Sequence, residues 1–245
     1  MVRFKEIHRE VDRQSRNCYL DAMGITGWVL SQERQPADEE YIGEDQAGIA
    51  GEAPRQFQDV QDLSSVEIAV RGCKACVLHQ SRSNTVFGSG SLTATWFLVG
   101  EAPGAEEDKQ GLPFVGRAGQ LLDSMLYGLG LNRDEVYVAN VLKCRPPRNR
   151  DPMGDEVGKC EPYLHQQIRN IQPKIVIAMG RFAAQSLLKK TDPISRLRGR
   201  VHEYEKFGIP LVVTYHPAYL LRSPLEKRKA WADLAFARAI LENHG

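Results

Sequence analysis

The chain has 245 residues, 42% hydrophobic and 26% charged, the composition of a soluble globular protein long enough to bury one sizeable core. No apolar run approaches the roughly 20 residues of a membrane span and the N-terminus carries no signal-peptide apolar stretch, so the chain reads as cytoplasmic. The net charge of +1 hides an uneven distribution: residues 33–62 hold nine acids against Arg34 and Arg55, a balance of −7, whereas residues 63–245 hold 25 bases against 18 acids, or +7.

Residues 1–31 read as a helical extension, with Phe4, Ile7 and Val11, then Tyr19, Leu20 and Met23, at helical spacing before a turn at Gly24 and the apolar Trp28 and Leu30. Such a helix either packs on the main domain or serves as a tethered anchor for a partner. Residues 32–64 form an acidic linker. They lack periodic apolar residues and contain Pro36, Gly43, Gly48, Gly51 and Pro54, so they bury too little surface to offset the entropy of ordering.

Residues 65–245 form the main domain, in which strands and helices alternate. The strand candidates are Trp96–Gly100, Val136–Asn140, Lys174–Gly180 and Leu211–Tyr215, each apolar through its middle, as parallel strands covered on both faces are. Helical spacing follows at Gly119–Tyr127, 155–170, 181–190 and Pro224–Asn243. The expected fold is a three-layer α/β/α domain around a four-stranded parallel sheet. Ligands of such sheets sit outside the carboxyl ends of the strands. One crevice should therefore collect Glu101 to Asp108, Asn140, Gly180 with Arg181, and His216.

The first of these stretches is the richest in chemistry. Glu101, Glu106, Glu107 and Asp108 are four carboxylates within eight residues, and Phe114 stands among Gly111, Gly116 and Gly119. A solvated acidic loop accounts for part of the charge but not for an aromatic ring between glycines.

Cys73 and Cys76 form a C-x-x-C pair, Cys144 lies just past the second strand and Cys160 on the next helix. In a cytoplasmic chain this pattern points to metal rather than disulfides, with Cys18 left as a packing residue. Spacing alone leaves zinc and an iron–sulfur cluster open. Around Cys144, the segment from Lys143 through Arg145 and Arg148 to Arg150 holds four cations in eight residues, and its prolines forbid a helix. Arg196, Arg198 and Arg200 precede a further strand-like stretch, and Arg222, Lys227 and Arg228 follow His216. Three basic loops around one pocket suit a phosphate backbone.

GEAPG with EED and GLPFVGRAGQLL, VANVLKCRPPRNR, the four cysteines and TYHPAYLLR together resemble the family 4 uracil-DNA glycosylases, in order and spacing, over residues 65–243. The resemblance implies excision of uracil from DNA in base excision repair, and one [4Fe-4S] cluster on Cys73, Cys76, Cys144 and Cys160. The N-terminal extension lies outside it. That segment is loosely similar to the N-terminal peptide of the clamp-loader psi subunit, which implies a replication or repair protein as its partner. Nothing in the sequence suggests more than a monomer.

The residues also support this chemistry directly. Uracil must be flipped out of the stack and held by its face and edge. Phe114 suits the face, and Asn140, whose amide both accepts and donates, suits the imide edge. Ala102 and Glu107 complete the expected uracil contacts, Glu107 crowding the place of thymine's methyl group, and Asp108 orients the loop. His216 stabilises the departing base, in a charge state the sequence leaves open, and Glu101 orients water or the cationic sugar. Pro103, Gly104, Lys143, Arg145, Arg148, Arg150 and Arg222 are the expected DNA contacts. The alternative is a non-catalytic iron–sulfur DNA-binding module of the same fold, whose signature would be a lost pocket residue.

Overall fold

The computed structural model describes residues 62–243. The extension 1–31, nearly all of the linker and Cys18 lie outside the described residues. The first helix, α1 (Leu63–Gly72), starts where Asp62 accepts the Ser65 amide at 3.0 Å, so the expected boundary between residues 64 and 65 falls inside an element.

The elements that follow are β1 (Ser89–Gly90), β2 (Trp96–Gly100), α2 (Ala105–Gln110), α3 (Arg117–Gly128), β3 (Tyr137–Asn140) and α4 (Gly154–Ile171). Next come β4 (Ile175–Met179), α5 (Arg181–Leu188), α6 (Ile194–Leu197), β5 (Val201–Tyr204), β6 (Ile209–Thr214), α7 (Pro217–Arg222) and α8 (Lys227–Asn243). They form one sheet in the order β1-β3-β2-β4-β6-β5. The four expected strands are its parallel centre, with Val99 opposite Ala139 and Ala178, and Ala178 opposite Val213. Two antiparallel edge strands extend it to six, β1 on β3 and β5 on β6.

Side chains of successive strand residues point to opposite faces, which divides the core in two. Leu98, Val138, Ile177 and Val212 meet Leu122 and Leu126 of α3 and Leu234 of α8. Phe97, Val99, Val176 and Val213 meet Leu164 and Ile168 of α4 and Leu187 of α5. Each such side chain stabilises the fold by about 1.5–3 kcal/mol. Because both faces are covered, the four central strands hold their carboxyl ends rigidly along one rim.

Two segments expected as loops are helical. α2 runs through the acidic stretch, and the buried Asp108 accepts the Ser83 amide at 3.0 Å, tying α2 to the preceding chain. α7 takes up PAYLLR directly after His216. Close approach dictates the glycine in α3: a Cβ at Gly119 would lie 1.7 Å from the Phe114 carbonyl oxygen, where Phe114 itself takes the left-handed φ of 55°. Gly119→Ala is expected to cost about 3 kcal/mol. Thermal unfolding checks this; an unchanged midpoint would refute the contact.

Candidate active site

A cavity of about 690 Å³ opens at the carboxyl rim of the parallel strands. It collects Glu101, Ala102, Glu107, Phe114, Asn140 and His216, the six expected catalytic and uracil-binding residues, although 115 positions separate the first from the last along the chain.

Gly100, the last residue of β2, makes the centre of the site possible. A Cβ there would lie 2.3 Å from Asn140 Oδ1 and 2.8 Å from Phe114 Cζ, so the bare backbone lets the amide and the ring sit side by side. Asn140 is 2% exposed, and its Oδ1 has no hydrogen-bond partner within the protein. An orphaned buried carbonyl costs about 1–3 kcal/mol, which a ligand N–H would restore. The Phe114 ring lies 5.4 Å from the His216 ring, at an interplanar angle of 30°.

The left-handed Phe114 is held from both sides. Glu107 Oε1 accepts the amides of Val115 and Gly116 at 3.1 and 3.3 Å, so this carboxylate clamps the turn that presents the ring. Arg133 donates to the Pro113 carbonyl at 2.8 Å and stands 5.9 Å from the Phe114 centroid. Sequence reading missed Arg133, which carries no motif. It also missed Tyr215 and Tyr219, whose rings lie 5.0 Å apart in the cavity wall; the aromatics of TYHPAY were the signal.

His216 caps α7, and its Nδ1 accepts the Ala218 amide at 3.1 Å. An amide can only donate, so the single proton of the neutral ring belongs on Nε2. Burial, and secondarily the charge of Arg222, hold the imidazole down to about 4, so it is neutral at physiological pH. Glu101 moves the other way. Burial, and then the nearby Asp151, raise its carboxyl above the usual range against the opposing pull of Arg181.

The expected DNA contacts divide. Pro103, Gly104, Arg150 and Arg222 line the cavity, and Arg148 is exposed, next in the chain to the lining residue Asn149. Arg145 is turned to Asn149 Oδ1 at 2.8 Å. The Arg150 guanidinium grips the fully buried Glu156 through two bonds of 2.9 and 2.5 Å, pinning the loop to α4. Lys143 requires a correction: it is 1% exposed, its ammonium donating to the Asn140 carbonyl and to Gln167 Oε1, and it cannot reach a phosphate backbone. Arg198 is likewise spent inside, on Asp233 at 2.7 Å and over the Tyr215 ring at 4.2 Å.

Cys73, Cys76, Cys144 and Cys160 line a second cavity. Donors already face its sulfurs: the Lys143 amide lies 3.2 Å from Cys160 Sγ, Arg82 Nη1 3.1 Å from Cys144 Sγ, and the Ala75 amide 3.5 Å from Cys73 Sγ. Burial pushes the Cys160 thiol up to about 12, so without a metal it is a thiol rather than a thiolate. Among the described residues no three His, Cys, Asp or Glu side chains form a group for a single metal ion. The donor set, four soft thiols of which three already face an N–H group, suits a cluster that spreads its charge over several atoms.

The sheet rim of this α/β protein thus presents an unpaired amide oxygen, an aromatic ring and a neutral imidazole to one cavity. A profile described as the Uracil DNA glycosylase superfamily matches residues 87–235. A Type-4 uracil-DNA glycosylase of Archaeoglobus fulgidus is 44% identical over 180 residues, 71% of this chain and 90% of the relative. Those of Sulfurisphaera tokodaii and Thermotoga maritima are 45% identical over 172 residues (67% of this chain, 78% of the relative) and 40% over 186 (75% and 96%). The chain belongs to the uracil-DNA glycosylase superfamily. No helix among the described residues is long and apolar enough to cross a membrane.

Proposed function

We propose that this chain is a uracil-DNA glycosylase that hydrolyses the bond between uracil and deoxyribose and leaves an abasic site. The observation that carries this reading is the buried, unpartnered Oδ1 of Asn140 beside the Phe114 ring. Uracil stacks on Phe114, and its imide N–H satisfies that oxygen. Cytosine offers an acceptor at the same ring position and leaves the oxygen unpaired, which costs about 1–3 kcal/mol. As the C1′–N1 bond breaks, its electrons move into the base, and Nε2–H of His216 donates to the carbonyl where the negative charge gathers. A water then adds to C1′ and gives its proton to an ionised Glu101. Arg148 and Arg222 at the rim suit the flanking phosphates.

Cys73, Cys76, Cys144 and Cys160 are the residues that would hold a four-iron cluster, which when bound supplies iron–thiolate bonds joining the C-x-x-C loop, the basic loop and α4.

Incubation of the purified full chain with oligonucleotides bearing U·G, U·A, single-stranded U or T·G tests the reading. Alkali-labile abasic product is expected from every uracil strand and not from T·G. Binding of the uracil strands without any abasic product would establish the non-catalytic module instead.

A further inference from the structure

Lys143 holds one of the largest fully buried side chains of the domain, in the company of Phe97 and the core leucines. A buried ammonium is costly unless fully partnered, and nothing in its hydrogen bonds is a carboxylate. Nζ donates to the Asn140 carbonyl at 2.9 Å and to Gln167 Oε1 at 2.6 Å. Gln167 is itself anchored, donating to the Phe87 carbonyl at 2.8 Å and to the Tyr137 hydroxyl at 3.3 Å. The main chain of Lys143 serves the other cavity, its amide donating to Cys160 Sγ at 3.2 Å. The two residues between Asn140 and Lys143 are bound to the end of β2: the Val141 amide donates to the Gly100 carbonyl at 3.0 Å, and the Leu142 amide to the Glu101 carbonyl at 3.1 Å.

The segment from Asn140 to Cys144 is therefore a strap between the base pocket and the cysteine cavity, and Lys143 is the one residue in it that hydrogen-bonds towards both. We propose that Lys143 is a positioning residue for uracil recognition: it fixes the main chain of Asn140, and so the aim of its carboxamide, against the wall that carries Cys160. This role rests on the reading of Asn140 as the uracil reader. It also explains why a cation in a basic loop is turned inward. Its charge faces an oxygen of the reader's own backbone, where an apolar side chain of the same length would leave the carbonyl buried and unpaired.

The test is a double-mutant cycle on the cluster-loaded full chain. Excision of uracil is measured under single-turnover conditions for wild type, Lys143→Met, Asn140→Ala and the pair, with thermal unfolding and visible absorption recorded for each. If the lysine acts through Asn140, Lys143→Met lowers the rate about 10-fold in the wild-type background and under about 3-fold once Asn140 is alanine, with the absorption per chain retained. Inhibition by free uracil should weaken in parallel. A merely structural role would give the same factor in both backgrounds and would overturn the proposal. Should Lys143→Met fail to unfold cooperatively, Gln167→Met, which leaves the ammonium in place but unanchored, is put through the same cycle and judged by the same criterion. A wild type inactive on every uracil strand would instead overturn the glycosylase reading, and this role with it.

Discussion

Asn140→Asp is expected to lower uracil excision about a thousandfold, equivalent to about 4 kcal/mol of transition-state stabilisation. The substitution preserves shape, so Gly100 and Phe114 can keep their places around it. What changes is the hydrogen-bonding pattern. A carboxylate keeps the oxygen that meets the imide N–H but replaces the amide N–H₂ with a second acceptor, facing the uracil carbonyl with like polarity. The position is 2% exposed, so water cannot screen the clash, and the base gathers negative charge beside a negative side chain as the bond breaks. The loss should therefore appear in the single-turnover rate at saturating enzyme, with thermal unfolding recorded beside it to separate it from the cost of burying a carboxylate. A rate within tenfold of wild type would remove Asn140 from the reaction.

Glu101, Ala102, Asn140 and His216 were legible in the sequence because open parallel sheets place function at one rim, and each closes or follows an apolar run that marks a central strand, whereas Glu107 and Phe114 stood out as part of a carboxylate cluster and as a ring among glycines. Burial on both faces makes those runs continuous, which is why β2, β3, β4 and β6 stand out. The edges lack that signal. Ser89–Gly90 is too short to carry any pattern, and Val201–Tyr204 has exposed positions at Val201 and Glu203, so the stretch after Arg200 looks strand-like without declaring its place in the sheet.

Depth was the quantity least visible in sequence. Lys143, Arg150 and Arg198 all belong to cation-rich stretches that read as phosphate contacts. In the fold, Lys143 turns to a backbone carbonyl, Arg150 to Glu156 and Arg198 to Asp233, because each lies where its loop folds back onto a helix or strand. A run of charge reports residue type, and only the partners across the chain decide whether that charge faces solvent. The carboxylates divide in the same way. Glu107 and Asp108 are spent on backbone amides, while Glu101, just past the end of β2, one of the two middle strands, lines the cavity without such a bond among the described residues.

That division leads to the pH dependence. Excision should show no inflection from His216 near 6.5, because its ring is already neutral there and protonates only near 4. On acidification Glu101 takes up its proton first: burial and Asp151 hold its carboxyl above the ordinary 4.5, and the base that receives the water's proton is lost before the imidazole changes state. The acidic limb of the single-turnover rate should therefore lie above 4.5 and belong to Glu101. Its neighbours give the sign. Asp151→Asn removes a charge that disfavours ionisation and should move the limb to lower pH, whereas Arg181→Gln removes one that favours it and should move the limb higher. Glu101→Gln should abolish the limb and leave a slower, pH-independent rate. His216→Ala, by contrast, should lower the rate about 100- to 1,000-fold across the limb while leaving the limb where it was, since it removes a donor to the departing base and not the group that titrates there. A limb near 6.5 that vanishes in His216→Ala would assign the proton to the histidine and reverse the roles given to the two residues.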